Sequence, residues 1–420
     1  MMLDQNRLQD PRSRRRPALA IALLIAVVPP ALPAPGFAGD ASGLIYGKVT
    51  TRGATYQGRL RWNEEASWGD HFNASKEERP HADDLPRSRP EARESIRVFG
   101  VTLGLRRGEL ASRSFIARFG DIRKIEVQHR SDVLLTMKSG TEIKVDGSGT
   151  NDIGDEITVW DDAMGKIEVD WDRIETIELM AAPAGLTVDV ERLHGTLKSS
   201  AGTFTGFIQW DKDECLSTDK LDGETDDGKV SIEMGRIKSI ERRSRSSSRV
   251  TLRDGREMVL DGTNDVDSDN RGIFVDDERY GRVLVGWDAF DRVDFSAPGS
   301  AGSGPSYDDF EAGGPIRGTV TDRDGKKHSG RLVYDIDESE TWEVLNGERR
   351  DVEYNVPFAL IKSIVADGHS AVRVTLRDGE EVTLEDTADT GDGNAGVLVL
   401  GDGEPVYVEW EDVDRIDLDS

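Results

Sequence analysis

The chain has 420 residues, with 81 acidic and 54 basic side chains and a formal net charge of −27 at neutral pH. This excess of negative charge repels nucleic acids and anionic membrane surfaces, so it argues against both as partners and favours cationic partners or metal ions. Cys215 is the only cysteine, which excludes an intrachain disulfide.

Residues 1–38 are predicted to be a secretory signal peptide. Arginines precede an uninterrupted apolar run at 18–28, Pro29 and Pro30 end the run, and Gly36-Phe37-Ala38 offers small residues before a cleavage point. The run is too short to span a bilayer comfortably, so we expect no stable membrane insertion after cleavage. An uncleaved anchor is the alternative. The predicted location is periplasmic or extracellular.

An eleven-residue apolar pattern recurs six times along the chain. Its last copy covers residues 408–418, with apolar residues at the first, third, sixth, ninth and eleventh positions. Apolar residues two apart share one face of a strand, whereas a spacing of three suits one 3₁₀ turn. Each copy is therefore predicted to form a strand, a 3₁₀ turn and a final strand. The third-position anchors are Phe119, Trp171, Met234, Trp287, Phe358 and Trp410.

The anchor spacing predicts three repeats, each made of two related halves. Paired anchors are 52, 53 and 52 residues apart, and the steps between pairs are 63 and 71 residues. A half of about fifty residues buries too little surface to be stable alone, so two halves are expected to pack as one unit. The predicted ranges are 43–180, 192–296 and 315–419, with a flexible insertion at 76–94 and a flexible linker at 297–314.

Each half is predicted to open with a β-hairpin. In the first halves a glycine turn leads to an aromatic residue on the buried face, namely Trp62, Trp210 and Tyr334. In the second halves Ser-Gly or Asp-Gly supplies the positive φ angles that such turns require. The predicted class is all-β: three tandem repeats, each of two small barrel-like or meander half-units with a 3₁₀ turn before the last strand.

This order of hairpin, connection, two strands and a 3₁₀ turn before the final strand resembles the small SH3-like and Sm-like barrels. The second Sm signature is absent where the final strand begins, at Asp414-Arg415-Ile416-Asp417. The resemblance therefore implies a barrel-type fold without RNA binding of the Sm kind, and a fold alone does not assign a function.

The acidic loop of each second half is the first candidate site. Asp265, Asp267 and Asp269 match the first three ligand positions of an EF-hand calcium loop, where carboxylates at alternate positions point at one hard cation. However, Asn270 replaces the expected glycine and no flanking helices are predicted, so a solvated turn is the competing interpretation. The related calcium candidates in the other repeats are Asp152, Asp155, Asp389 and Asp392.

Asp389-Thr390-Gly391 also spells the triplet of aspartic proteases, whose carboxylate shares a proton with a second one. The residues before Asp389 are polar where those enzymes have an apolar strand, which disfavours this hypothesis.

The loop after the first hairpin of repeat 1 is the second candidate site. Trp62, Trp68 and Phe72 are proposed as an aromatic platform for a sugar ring or a peptide, with Asp70 and Asn73 beside it. The alternative is a turn held by its own Asp or Asn side chain, with Phe72 filling the end of a barrel.

The sequence contains no Gly-x-Ser-x-Gly elbow, phosphate-binding Gly-rich loop or His-Glu-x-x-His motif, and its histidines show no metal-binding spacing. We therefore expect a non-enzymatic, exported repeat protein that binds or scaffolds a protein or glycan partner. A calcium-binding β module is the alternative, with calcium as the one cofactor considered, and a hydrolase ranks third.

Overall fold

The computed structural model describes residues 39–76, 95–98, 101–104, 113–147, 152–299, 302–368 and 370–419. The predicted signal peptide and nearly all of the predicted insertion lie outside these residues. The described chain consists of β-strands and short 3₁₀ turns, which confirms the all-β class. No helix in these ranges is long and apolar enough to cross a membrane.

We name the strands in three groups, and the predicted repeat ranges serve as their labels. In repeat 1 they are β1 (Gly39–Asp40), β2 (Tyr46–Thr51), β3 (Thr55–Trp62), β4 (His71–Lys76), β5 (Ser95–Val98), β6 (Val101–Gly104), β7 (Arg113–Arg118), β8 (Ile122–Val127), β9 (Asp132–Met137), β10 (Glu142–Asp146), β11 (Ile157–Asp161), β12 (Gly165–Val169) and β13 (Ile174–Leu179). The strand β14 (Thr187–Val188) follows and pairs with β1.

Repeat 2 contains β15 (His194–Ser199), β16 (Gly202–Gln209), β17 (Lys220–Thr225), β18 (Gly228–Glu233), β19 (Ile237–Ser244), β20 (Ser247–Leu252), β21 (Glu257–Asp261), β22 (Ile273–Asp277), β23 (Gly281–Val285) and β24 (Phe290–Phe295). Repeat 3 contains β25 (Arg317–Asp322), β26 (Lys327–Tyr334), β27 (Val344–Arg349), β28 (Val352–Pro357), β29 (Ile361–Ala366), β30 (Ala371–Leu376), β31 (Glu381–Glu385), β32 (Val397–Leu400), β33 (Val406–Val408) and β34 (Val413–Leu418).

Five of the six anchors begin the predicted 3₁₀ turn. These turns are Phe119–Asp121, Trp171–Arg173, Met234–Arg236, Phe358–Leu360 and Trp410–Asp412, and two more lie at Ala41–Gly43 and Tyr307–Asp309. Trp287 instead begins a turn in which the backbone N–H of Phe290 points at the carbonyls of both Gly286 and Trp287, at 3.0 and 3.2 Å. The periodicity of three therefore predicts the turn position, although its hydrogen-bond pattern varies.

The two halves of a repeat exchange strands within one antiparallel sheet. In repeat 2 the order is β18-β17-β21-β20-β19-β24-β15-β16-β22-β23, and the other two repeats use the same order. The last strand of the second half, β24, lies between the first and last strands of the first half. Conversely, the β22–β23 hairpin of the second half adds to the strands of the first half, because β22 pairs with β16.

This exchange explains why the barrel expectation is wrong at the level of the half-unit. The last strand of each half pairs with strands of the other half, so neither half closes on itself. Instead each repeat forms a continuous sheet of ten strands, and none of the sheets in the described ranges is closed into a barrel.

Repeats 2 and 3 share one sheet. Strand β23 of repeat 2 pairs with β28 of repeat 3, from Arg282 opposite Asn355 to Val285 opposite Val352, which makes a single sheet of twenty strands. Repeat 1 keeps a separate ten-stranded sheet.

The predicted linker is docked rather than flexible over the part that the structure describes. Tyr307 is 9% exposed and belongs to the core of repeat 1. Its hydroxyl donates to the carbonyl of Ile122 at 3.0 Å, and Lys138 donates to the carbonyls of Tyr307 and Phe310. The glycines and serines of this segment predicted flexibility, but its two aromatic residues fix it on repeat 1.

Candidate functional site

The first hairpin of every repeat is tied to the acidic loop of the second half. In repeat 2 the indole N–H of Trp210 donates to the carbonyl of Asp265 at 2.9 Å. The equivalent bonds join Trp62 to Asp152 at 2.7 Å and Tyr334 to Asp389 at 2.5 Å. The first aspartate of each predicted acidic loop is therefore held in the interior, and it occupies the same position in all three repeats.

The carboxylates of these three aspartates bind the second predicted loop. Asp265 accepts from the backbone N–H of Asp222 at 2.6 Å. The corresponding donors are Asn73 N–H for Asp152 and Asn346 N–H, at 2.8 Å, for Asp389. Burial raises the pKa of Asp265 to about 6 and the pKa of Asp152 to about 7. The first aspartate of each loop thus joins two loops of its repeat.

The other predicted calcium ligands do not gather around the first. Asp267 accepts from the backbone N–H of Asp269 at 2.9 Å, Asp269 and Asp392 are exposed, and Asp155 accepts from the side chain of Asn63 at 3.2 Å. Within the described ranges, the three carboxylates whose oxygens lie within 4.8 Å of one another are Asp335, Glu338 and Asp389. Asp389 therefore lies beside Asp335 and Glu338, two residues that were not predicted from the sequence. Asp265, Asp267 and Asp269 are not gathered around one point as they would be in an EF-hand loop.

The proposed aromatic platform is part of the core. Trp62, Trp68 and Phe72 are all 0% exposed, and the rings of Trp62 and Phe72 meet edge to face with centroids 5.6 Å apart. Asp70 accepts the backbone N–H groups of Ala66 and Ser67 at 2.8 and 2.7 Å. These rings are therefore not available as a binding platform. Large apolar rings at core periodicity gain more from burial than from exposure.

The loops of the other repeats use the same turn. The carboxylate of Asp219 accepts from Cys215 and Leu216 at 3.0 and 2.9 Å, and that of Glu343 accepts from Ser339 and Glu340 at 2.6 and 2.9 Å. This recurrence supports the alternative interpretation of the second candidate loop as a turn held by its own acidic side chain.

Asp335, Glu338 and Asp389 form what we call the acidic cluster of repeat 3. They are 1%, 9% and 8% exposed. The Oε2 atom of Glu338 has no hydrogen-bond partner within the described ranges. Burial, together with Asp337 and Asp389, raises the pKa of Glu338 well above its usual value. A buried carboxylate oxygen without a donor is costly. The Oε2 atoms of Glu65 and Glu214 in the other two repeats also lack a partner within the described ranges.

Repeat 2 has carboxylates at the corresponding positions and supplies its own cation beside them. Asp211, Glu214 and Asp265 occupy the corresponding positions, and Arg271 donates to Asp211 from Nε and Nη2 at 3.1 and 3.0 Å. In repeat 3 the residue at the position of Arg271 is Ala395, whose backbone N–H donates to Asp335. Repeat 3 therefore keeps the carboxylates and lacks this arginine.

At the corresponding position, repeat 1 has fewer acidic residues, and a cation from repeat 2 lies nearby. Asn63 takes the place of the first aspartate, and Glu65 and Asp152 remain. The guanidinium of Arg282 lies near Glu65 and opposes the rise in pKa that burial and Asp152 impose on that carboxyl group. Arg282 itself pairs with Asp70 at 2.6 Å.

Buried ion pairs connect repeat 1 to the other two repeats. Arg282 of repeat 2 is 4% exposed at its side chain and pairs with Asp70 of repeat 1 and with Asp276 at 2.6 and 2.9 Å. Lys76 of repeat 1 pairs with Asp337 and Glu343 of repeat 3 at 2.7 and 3.4 Å. Removing one member of such a pair leaves a buried charge uncompensated, so these contacts hold the repeats in place.

In repeat 3, a hairpin of repeat 2 fills a groove beside β28. Tyr280, at the tip of the β22–β23 hairpin, is 7% exposed and packs on Tyr354 with centroids 5.4 Å apart. Its hydroxyl donates to Glu380. Gly281 is required at the tip because its φ is +78° and a Cβ there would lie 2.6 Å from Pro357.

The equivalent groove in repeat 2 is open. Its floor is formed by Val230, Ile232, Leu252 and Met258, and its volume is about 460 Å³. These positions precede their counterparts in repeat 3 by 124 residues, as Met234 precedes Phe358. Strand β18 is exposed or half-buried throughout, whereas five of the six residues of its counterpart β28 are buried. We call this surface the repeat 2 groove.

In repeat 1 the equivalent groove is covered from within the chain. Trp342 of repeat 3 packs on Phe115 with centroids 6.0 Å apart, and Phe310 lies against Gly120. The grooves of repeats 1 and 3 are therefore both filled by other segments of the chain.

The hairpin that corresponds to the Tyr280 hairpin is exposed in repeat 1. It comprises residues 161–165 between β11 and β12, and Met164 stands at the position of Tyr280. Met164 is 61% exposed and is one of two large exposed hydrophobic residues in the described ranges, with Val406 at 36%. We call this segment the repeat 1 hairpin.

Sequence reasoning missed the acidic cluster and the groove. A signal for the cluster was present, because an acidic residue or Asn follows the aromatic end of the first hairpin in all three repeats, at Asn63, Asp211 and Asp335. The groove had no such signal, since its lining residues follow the ordinary strand alternation of its sister repeats.

Comparisons with known proteins give no relative for this chain. No family model matches it, and neither a curated protein nor a solved structure matches it significantly.

Proposed function

We propose that this protein is an exported, non-enzymatic scaffold whose copies associate head to tail, with the repeat 1 hairpin of one copy entering the repeat 2 groove of the next. One observation carries the proposal: the groove is filled in repeats 1 and 3 and open in repeat 2. The segment that would match it, the repeat 1 hairpin, is exposed in the same chain.

The contact between repeats 2 and 3 supplies a template for the association. There β23 pairs with β28, and Leu284 lies opposite Glu353. The same register places β12 of one copy beside β18 of another, with Glu168 opposite Lys229. Opposite charges on directly paired strand residues stabilise the pairing.

The charges of the two surfaces are complementary. The rim of the groove carries Lys220, Arg236 and Arg256, with Glu233 as its acidic member. The repeat 1 hairpin carries Asp161 and Asp162, a pair of acids next to the exposed methionine. In the contact between repeats 2 and 3, Glu380 accepts hydrogen bonds from Tyr280 and Arg279 of the hairpin. The repeat 2 groove has Arg256 at the position of Glu380, and this positive charge suits an acidic hairpin instead. Such complementarity favours the correct partner and speeds encounter.

The apolar part of the contact is small and specific. Met is flexible and adapts to an irregular apolar surface, so Met164 suits the floor formed by Val230, Ile232 and Met258. Because the two surfaces differ, the interface is heterologous and propagates into chains or closes into a ring. This property fits a scaffold, and export is supported by the signal-like segment at residues 1–38.

Sedimentation velocity of the full chain over a wide range of concentration tests the proposal. We expect oligomers that grow with concentration and weaken at high salt, because the rim contacts are ionic. The Met164→Asp variant and the Val230→Asp variant should each raise the apparent Kd at least about tenfold, since each buries an unpaired carboxylate.

Mixing the two variants gives the decisive result. Each retains one intact surface, so an equimolar mixture should form a dimer and nothing larger. Val406→Asp changes the other exposed large hydrophobic residue, on β33, the repeat 3 counterpart of β12, and should associate like the parent, which tests the choice of hairpin. A parent chain that stays monomeric at every concentration, or variants that associate as the parent does, would overturn the proposal.

A further inference from the structure

The acidic cluster of repeat 3 concentrates negative charge in the protein interior. Asp335, Glu338 and Asp389 lie together, and Asp337 is close by. Lys76 is the cation that faces this group, and its ammonium is engaged by Asp337 at 2.7 Å and Glu343 at 3.4 Å. One ammonium group does not neutralise this many buried carboxylates, so additional positive charge is favoured there.

Comparison with repeat 2 shows what is missing. The guanidinium of Arg271 contacts Asp211 through two nitrogens and reaches Asp213 at 3.4 Å. Ala395 stands at the position of Arg271 in repeat 3 and has no charge to contribute. The two repeats therefore have carboxylates at the same three positions and differ in one cation, and among the described residues only those of repeat 3 lie within 4.8 Å of one another.

A second observation points to a ligand at this position. The Oε2 atom of Glu338 is buried, the residue is 9% exposed, and this atom has no hydrogen-bond partner within the described ranges. The Oε2 atoms of Glu65 and Glu214, at the corresponding positions, also lack a partner there, but only in repeat 3 do three carboxylates of the described residues lie within 4.8 Å of one another. In native structures most buried polar atoms are satisfied, and those without a protein partner often mark an ion or water that completes the site.

We propose that the acidic cluster of repeat 3 binds a calcium ion through Asp335, Glu338 and Asp389. The ion takes the role that the Arg271 guanidinium plays in repeat 2. The donors are all carboxylate oxygens, which are the ligands of hard cations, and none is the nitrogen or sulfur that zinc or copper prefers.

Calcium fits this site better than magnesium. Calcium accepts six to eight oxygen ligands in irregular geometry, whereas magnesium demands a nearly regular octahedron and gives up its waters reluctantly. Glu338 comes from a hairpin turn and Asp389 from a separate loop, so the three carboxylates are not arranged by one regular element. The site involves neither the repeat 2 groove nor the repeat 1 hairpin, so it stands independently of the proposed assembly.

Isothermal titration calorimetry of the full chain with calcium chloride, after treatment with EDTA, tests this assignment. We expect one calcium ion per chain, weaker binding of magnesium, and a melting temperature that rises with calcium. Glu338→Gln, which removes one charge at nearly constant shape, should weaken binding at least about tenfold. The matched control is Glu214→Gln in repeat 2, which should leave the affinity and the stoichiometry unchanged.

Ala395→Arg provides a second test that does not depend on destabilising the protein. It places in repeat 3 the arginine of repeat 2, so it should abolish calcium binding while raising the melting temperature in EDTA. Calcium binding that survives both Glu338→Gln and Ala395→Arg would overturn the site. Loss of binding in Asp267→Asn or Asp269→Asn would instead locate calcium on the acidic loop of repeat 2, and no binding at all, or equal binding of magnesium, would also refute the calcium assignment.

Discussion

His71 is a buried imidazole placed among charges from two repeats. It is 5% exposed, at the start of β4. Burial lowers its pKa well below the usual value, and Arg282 and Arg118 lower it further, against the opposite effect of Asp70. The ring therefore stays neutral in the folded protein at pH values where a histidine of the unfolded chain is protonated.

This histidine makes repeat 1 sensitive to acid. Because the pKa is lower in the folded state, the unfolded chain binds a proton below pH ~6.5 that the folded chain does not, and stability falls as the pH decreases. The contribution is fully present above pH ~6.5 and is lost at about 1.4 kcal/mol per pH unit below it. We predict that His71→Gln removes this dependence.

The measurement is the free energy of unfolding of parent and variant between pH 8 and pH 5. Many carboxyl groups titrate in the same range, so the informative quantity is the difference between the two proteins at each pH. A difference that does not change with pH would contradict the prediction.

Residue-scale roles were only partly predictable from the sequence. The periodicity assigns the anchors Trp171, Trp287 and Trp410 to the core; Trp171 and Trp287 are 3% and 5% exposed, whereas Trp410 is only half-buried. It gave no information on the partners of Asp335 and Glu338, because these side chains meet Asp389 from a loop about fifty residues away. A contact of this kind depends on the path of the chain between its members, which local spacing does not record.

At the scale of elements, one hairpin occurs in two environments. The hairpin of repeat 2 is buried against repeat 3 through Tyr280, and the hairpin of repeat 1 presents Met164 to solvent. The burial of their following strands differs in the same way, since β23 is largely buried and β12 largely exposed. Comparing substitutions in the two hairpins therefore measures how much the docking of one hairpin on repeat 3 contributes to the stability of the fold.

Truncation of the two tip residues should have very different effects. We predict that Tyr280→Ala lowers the free energy of unfolding by about 3 kcal/mol, because a buried aromatic ring and its hydrogen bond to Glu380 are lost. Met164→Ala should change it by less than about 0.5 kcal/mol in dilute, monomeric protein. Urea denaturation of both variants checks this, and similar losses would mean that the repeat 1 hairpin is buried in solution.

The individual elements were largely predictable, but their exchange between halves was not. Strand alternation and the 3₁₀ spacing located the strands and turns, because these depend on local periodicity. The two halves of a repeat have the same pattern, so pairing within a half and pairing between halves satisfy it equally. Periodicity therefore could not reveal that the described sheets do not close into barrels.

At the scale of the whole molecule, two sheets are joined by buried charges and a docked linker. Repeats 2 and 3 share a sheet, and repeat 1 contacts them through Arg282, Lys76 and the segment that contains Tyr307. Apolar contacts also cross the boundary, since Trp342 packs on Phe115, and Leu44 and Ala66 lie in one cluster with Cys215 and Leu216. Because much of the connection is made by side chains outside the sheets' own pairing, we expect it to be separable from the folding of the sheets themselves.

Arg282→Met should uncouple repeat 1 from the rest. The substitution leaves Asp70 without its partner from repeat 2, and breaking a buried pair costs about 3–5 kcal/mol. Differential scanning calorimetry should show one transition for the parent and two for the variant. Arg173→Met removes an exposed pair with Asp170, where the side chains are 74% and 66% exposed, and should leave the single transition intact. A single transition in the Arg282 variant would show that the remaining contacts, including the Lys76 pairs and the docked linker, are enough to couple the sheets.

The position of β24 also governs the order of assembly in time. It is the last strand of repeat 2 to be synthesised, yet it lies in the middle of the sheet, between β19 and β15. Strand β15 must therefore wait for about ninety further residues before its second neighbour exists, and pairings across such distances form slowly. During synthesis a repeat remains an incomplete sheet until its final strand emerges. Neither half therefore forms a stable intermediate onto which the other half could fold.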